Sequence, residues 1–458
     1  MGGLSRRATV LSKTSENHPV VVLDGGDLFW KGGELREENH AAQVSKAALL
    51  AEDMMSHGLD AWVPGEADWT LGTETVLNLI DQHQLPVLAG NLVCGDRSFP
   101  GHLKIERGNR LVGVVGVVDT VVEGCTTEDP VEAARSGVAA LGEVDVLLGI
   151  FQGSAELDGQ VLREVSGFDF FFNGHTAQSS VNLREINGAW FLGAGSRGKQ
   201  LGHLTLSWRE DGLGPWSTKG REDALEARLT RFQERSAAAQ QSLAELEPGA
   251  DTTRWERRVE HYERESEKLS LELDELKKQS ASNRQFSHEL VALDASIADH
   301  PETASRVEAT LRAIEAAGDT SGGDEVKPLT GGPFAGSEAC SLCHPQETAQ
   351  WKTTPHAHAM KTLKDINRSM DPACFSCHAT GAHHPEGPTL AGQVGERLAN
   401  VGCESCHGPS ADHVRNPGAS REGMSSALSS CTTCHDGIQD EGRFDPDSYI
   451  PRILHSPL

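Results

Sequence analysis

One pentapeptide pattern occurs four times between residues 340 and 435: CSLCH (340–344), CFSCH (374–378), CESCH (403–407) and CTTCH (431–435). Cysteines three apart, with a histidine directly behind the second, lie on one side of a helical turn. Each sulfur can form a thioether with one vinyl group of a porphyrin, and the histidine then lies beneath the ring as an iron ligand. Zinc sites also use CxxC pairs, but they do not call for a histidine after every second cysteine. Disulfides leave all four histidines unexplained. The pattern is that of c-type haem, with Cys340, Cys343 and His344; Cys374, Cys377 and His378; Cys403, Cys406 and His407; and Cys431, Cys434 and His435 as the attachment sets. Residues 334–458 have few long apolar runs and little periodicity, too little to build an ordinary core. Four covalently attached haems c are expected to supply the missing apolar volume.

The rest of the chain reads differently. The runs VVVL (20–23), AWV (61–63), PVLA (86–89), LVGVVGVV (111–118), VDVLLGIF (144–151) and FDFFFNG (168–174) are strand-like, and several are too apolar to have a wet face. That predicts a sheet covered by helices, the α/β class. From Leu225 to Leu246 and from Trp255 to Leu276 apolar residues recur at heptad spacing, separated by Pro248-Gly249, which predicts an α-helical hairpin of coiled-coil type. QFSHELVALDASI (285–297) and ETASRVEATLRAIEAA (302–317) read as one more strand and helix, and 318–333 as a Gly-rich linker. The expected organisation is multidomain: 1–215, 216–317, the linker 318–333, and 334–458. The formal charge of −26 argues against nucleic acid and anionic membrane surfaces as partners and favours a basic redox partner. No apolar run is long enough to span a bilayer. The hairpin offers a surface for homo-oligomerisation. Cys94 and Cys125 stand apart from the motifs, as a disulfide or as two thiols.

The C-terminal segment resembles the tetrahaem cytochromes of nitrifying bacteria that accept electrons from hydroxylamine oxidoreductase. The resemblance rests on WKTTPHAHA (351–359), CESCHGPSADH (403–413) and a late Tyr449 to His455 element, and it covers about 120 residues. It implies His356, His413 and His455 as distal haem ligands, His413 serving a haem other than the one on Cys403 and Cys406. For the remaining haem, His358, His383 and His384 are candidates, with Met360 and Met370 as rivals, or its iron is five-coordinate.

A second resemblance covers the first 190 residues or so, carried by VVVLDGGDLF (20–29), GLDAWVPGEADWTLG (58–72), LPVLAGNL (85–92) and FFFNGHTA (170–177). It is to the metallophosphoesterase domain of periplasmic 5′-nucleotidases and implies a two-sheet sandwich with helices outside. That family's chemistry uses two divalent metals bridged by an aspartate. Asp27 matches the bridging residue and His175 the first histidine of GHxH. Ala177 replaces the second histidine, Glu66 and Ala67 replace an Asn ligand and the catalytic histidine, and Gln152 replaces another histidine. The losses predict no phosphoester hydrolysis, although Asp27, Glu66, Asp68 and His175 could gather one residual metal. Covalent haem attachment implies an exported, periplasmic protein. The start of the sequence lacks the apolar core of a signal peptide and the family's first strand, so a leader and a strand are expected upstream. The function expected is electron transfer, with the N-terminal domain used for docking or sensing. The alternatives are a redox enzyme acting on a small nitrogen-oxide substrate at one open haem, and a metal-dependent phosphoesterase.

Overall fold

Apolar residues on both faces of a strand require cover on both faces, and the strongest such run, Val146–Gln152, is buried at every position. The computed structural model describes residues 3–30, 35, 37–120, 122–175, 184–195, 197–208, 214–218, 221–244, 252–279, 284–317, 320–321, 324–418, 427–435 and 444–455. In it Val146–Gln152 lies within a six-stranded sheet whose spatial order is Arg184–Ile186, Ala189–Phe191, Phe170–Asn173, Val146–Gln152, Arg110–Val118, His102–Arg107. Arg110–Val118, Val146–Gln152 and Phe170–Asn173 run parallel. Helices Pro130–Leu141 and Ala155–Glu164 cover one face, burying Val115, Val117, Phe151 and Phe171. The alternate residues Val114, Val118, Leu148, Ile150, Phe170 and Phe172 enter a larger cluster with Trp62, Leu79, Val87, Trp216 and Phe286. Period-two alternation therefore supplies two apolar faces from one strand.

The larger cluster is also fed by two smaller sheets. Val22–Asp24 pairs in parallel with Leu59–Trp62, and Gln200–Trp208 pairs antiparallel with Arg284–Ala292, whose other neighbour is Trp216–Thr218. The Phe286 ring packs edge-on against Phe170 at 4.9 Å and lies 5.2 Å from Trp190, joining the sheets. This pairing corrects the expected boundary at 215. The α/β unit includes 284–317, and helices Arg221–Ala244 and Thr253–Gln279 are inserted between two strands of one sheet. Those helices pack on each other through Leu225, Leu269 and Leu273, with Phe232 against Tyr262, so heptad positions are buried within the chain. Pro248-Gly249 lies outside the described residues.

Two further differences are local, and one helix has no counterpart in the sequence reading. PVLA (86–89) contributes one bridge, Val87 to Trp62, in place of a strand. The strand expected to reach 297 ends at Ala292, because the Asp294 side chain accepts from the N–H and hydroxyl of Ser296 and turns the chain. Leu4–Asn17 is a helix packed on helix Pro301–Ala317, with the Thr9 hydroxyl donating to Ala298 O at 2.8 Å.

The described residues between 334 and 455 form short helices and turns. They do build a small core, of Phe334, Met360, Leu363, Phe375, Ala379, Ala391, Val394 and Leu398. The C-terminal half of the expected linker is fastened to it: Arg397 donates to the carbonyls of Leu329, Gly331 and Phe334, and Leu329 N–H to Gln393 O. Among the described residues no helix is long and apolar enough to cross a membrane.

Replacing Phe286 with alanine removes the ring that joins two sheets and is expected to cost about 3–5 kcal/mol. Denaturant unfolding of the full chain measures this; a loss under about 1 kcal/mol would contradict the shared cluster.

Candidate functional site

Each motif occupies a helical turn. The His344 N–H donates to Cys340 O at 2.8 Å and the His435 N–H to Cys431 O at 2.8 Å, the i to i+4 bonds that bring both cysteines and the histidine to one side. All eight motif cysteines are free of disulfides, whereas Cys94 and Cys125, paired across adjacent strands, are bonded to each other. Sulfurs of different motifs approach closely. Cys340 and Cys403 share a hydrogen bond, which holds one thiol high and pushes the other down to about 6. The Cys377 and Cys434 sulfurs and a His383 nitrogen lie within 4.8 Å of one another, and Cys434 first, then His383, push the Cys377 thiol down to about 4. Cys406 and Cys431 are also near enough to influence each other. The first motif thus neighbours the third, and the fourth neighbours the second and the third.

The histidines cross between motifs. His407 and His455 have ring centres 6.2 Å apart, and His356 and His435 6.3 Å apart. His455 Nδ1 is hydrogen-bonded to Gln350 Oε1 and His378 Nδ1 to Ala359 O at 2.7 Å, which leaves Nε2 of each ring for a ligand. Burial, and then the neighbouring His435, lower the His356 pKa and favour the neutral imidazole that metals bind. His413 Nδ1 is buried and has no hydrogen-bond partner among the described residues. The other candidates are engaged elsewhere or exposed. His383 Nε2 is 3.9 Å from both Cys377 Sγ and Cys434 Sγ. His384 Nδ1 accepts the Glu386 N–H, and its ring packs on Phe334. His358 is exposed, while Met360 and Met370 pack at the small core.

Two supporting residues went unread in the sequence. Glu404, inside the third motif and 3% exposed, accepts from the backbone N–H groups of Ala335, Gly336 and Ser410 at 2.7–2.8 Å. It ties the third motif to the approach of the first and to the loop before His413. A charged residue between two cysteines reads as solvent-facing, so only its burial exposes the role. Gln350 orients His455 across 105 positions, a distance that no local pattern spans.

At the N-terminal sheet the residues are drawn together by a different acid. Asp68, fully buried, accepts from the N–H groups of Asp27, Leu28, Phe29 and Gly65 at 2.6–2.9 Å. Burial pushes its carboxyl up to about 7, against those donors. The tie holds Gly26 and Asp27 at positive φ, where a Cβ on Gly26 would lie 2.3 Å from Val63 O. Asp27 Oδ1 accepts the Ala67 N–H at 3.0 Å, and Oδ2 lies 3.5 Å from His175 Nδ1. Glu66 is exposed and does not join them: among the described residues only Cys377, His383 and Cys434 gather three His, Cys, Asp or Glu ligand atoms within 4.8 Å. Gln152 Nε2 donates to Gly25 O at 2.6 Å, and the amide of Asn91 is spent on Val118 and Glu128. Ala177 lies outside the described residues.

Residues 339–408 match the family described as cytochrome c554 and c-prime. Cytochrome c-554 of Nitrosomonas europaea is 38% identical over an alignment of 87 positions, covering 16% of this chain and 37% of that protein. The chain therefore spans little more than a third of the length of this curated relative. Among solved structures, the sulfate thiohydrolase SoxB of Thermus thermophilus is similar at a TM-score of 0.46 and 15% identity, covering 70% of this chain and 48% of that one. A 5′-nucleotidase precursor, also of Thermus thermophilus, gives 0.46 and 13%, covering 69% and 54%. The calcineurin-like phosphoesterase YfkN of Bacillus subtilis gives 0.42 and 15%, covering 68% and 88%.

Proposed function

We propose that residues 334–458 are an electron-transfer unit holding four covalently attached haems c, one on each CxxCH, with an exported location. The observation that carries this reading is the spacing of the crossed histidine pairs. Two imidazoles on opposite sides of one metal, each bound at about 2 Å, have ring centres roughly 6 Å apart, and His407 with His455 and His356 with His435 meet that requirement. On this reading His455 closes the haem of the third motif and His356 that of the fourth. His413 closes the haem of the first, because Glu404 and the bond from Ala411 N–H to Pro333 O dock its helix beside residues 333–336. When bound, each haem supplies a one-electron iron couple. Histidine ligands from two places would close the iron and keep its potential low, and the approach of sulfurs between motifs would bring neighbouring haems close together, as a relay needs. The Cys94–Cys125 disulfide and thioether-bound haem both suit an oxidising compartment. The acidic chain favours a basic redox partner, with a salt-dependent association rate.

A second reading, reduction or oxidation of a small nitrogen-oxide substrate, is favoured by one observation. His383 Nε2 lies 3.9 Å from the sulfurs of Cys377 and Cys434, which would leave it beside attachment points and not at an iron, and His384, Met360 and Met370 are engaged in packing or hydrogen bonds. The haem on His378 is then left open.

His455→Ala and His356→Ala are each expected to convert one haem from low spin to high spin in the EPR spectrum of the oxidised holoprotein. Spectra unchanged in both variants would contradict the pairing; a high-spin haem in the unaltered protein that shifts with nitric oxide supports the second reading. The α/β unit is a docking or sensing domain without phosphoesterase chemistry, since Ala67 has no proton to transfer and, among the described residues, no third ligand atom gathers with Asp27 and His175. No phosphate release from nucleotides is expected with added Mn²⁺ or Zn²⁺; turnover abolished by Asp27→Asn would overturn this.

A further inference from the structure

The α/β unit touches the C-terminal segment at the loop that leads into the second CxxCH. Helices Glu37–Ser56 and Pro301–Ala317 are first fastened to each other: the Asp53 carboxylate, 1% exposed, accepts from the Thr303 hydroxyl at 2.6 Å and from Arg306 at 2.8 Å. From this pair, Lys46 reaches the Asp371 carboxylate at 2.5 Å, and Glu315 accepts the Met370 N–H at 2.9 Å and the Ser369 hydroxyl. Asp371 is 3% exposed. Its carbonyl accepts the N–H groups of Cys374 and Phe375 at 2.9 and 3.0 Å and so starts the helix that carries the motif. Arg368 stands 3.9 Å from Cys374 Sγ. The charges oppose one another at that sulfur, Asp371 acting one way and Arg368 and Lys46 the other.

We propose that Lys46 is a positioning residue that fixes the place and the midpoint potential of the haem on Cys374 and Cys377, so that the α/β unit is coupled to one haem of the four. This rests on the haem reading above. A buried carboxylate near the iron favours the oxidised, more positive form, and it does so strongly where the local dielectric is low. Lys46 cancels that charge from the other unit. Whatever moves helix Glu37–Ser56, including a ligand on the α/β unit, changes the cancellation. By linkage, the redox state of this haem changes how firmly the two units hold.

Spectroelectrochemical titration of the full-chain holoprotein, with its haem content counted, tests this. Lys46→Gln is expected to move one of four midpoint potentials in the negative direction, leaving the other three in place, and Lys46→Arg to restore it. Asp371→Asn is expected to move the same potential in the positive direction, whereas a merely structural defect would move both variants alike. The proposal is overturned by four unchanged potentials in a fully loaded variant, or by shifts of the same sign in the Gln and Asn variants. If Lys46→Gln does not fold, the Asn and Arg variants decide alone. An unaltered protein whose second motif carries no haem would instead overturn the haem reading.

Discussion

An imidazole pair about 6 Å apart is a demanding arrangement, because it needs two side chains from different places to face one point with the right nitrogen free. Here the pairs join distant parts of the C-terminal segment: His356 follows the first motif yet meets the histidine of the fourth, and His455 lies near the chain's end yet meets that of the third. A segment whose core cluster gathers eight buried apolar side chains among the described residues is helped by such cross-links. Glu404, Trp351 and Gln350 serve the same end. Trp351 Nε1–H donates to Val401 O, holding the helix after the first motif against the approach to the third. Carboxylate, indole and amide each place backbone or imidazole so that the proposed iron ligation would cost little further ordering.

The α/β unit is organised by an unlike principle. Its sheet needs no cofactor, since helices and two smaller sheets bury both faces of the central strands. At the strand ends Asp68 holds four backbone donors and shapes the loop around Asp27. The shape of this mouth is thus kept by a residue whose carboxylate is spent on backbone, while alanine, glutamine and an outward glutamate stand where the resemblance would put ligands and a base.

How much was legible follows from the range of each signal. The CxxCH spacing is local chemistry and needs no fold to be read. The central strands are legible because alternation within nine residues is enough to show two apolar faces. Which histidine faces which is not legible, since it depends on contacts across as many as 79 positions in the His356–His435 pair (435 less 356). The expected boundary at 215 failed for the same reason: nothing near Trp216 announces that it pairs with Arg284. The linker reads as free because it is rich in glycine, and the Arg397 side chain that fastens its end lies more than sixty residues on. The Lys46–Asp371 contact combines both difficulties, being an ion pair between units that ordinary surface charges would hide.

The proposed relay, the proposed ligation by the crossed histidine pairs and the proposed coupling through Lys46 all rest on covalent haem at the four motifs. An intact-mass spectrum of the exported full chain, taken after denaturation and free of reductant-labile adducts, is the most direct test. Four haem additions that survive denaturation are predicted. A chain carrying zinc, disulfides among Cys340 to Cys434, or no covalent additions would contradict it.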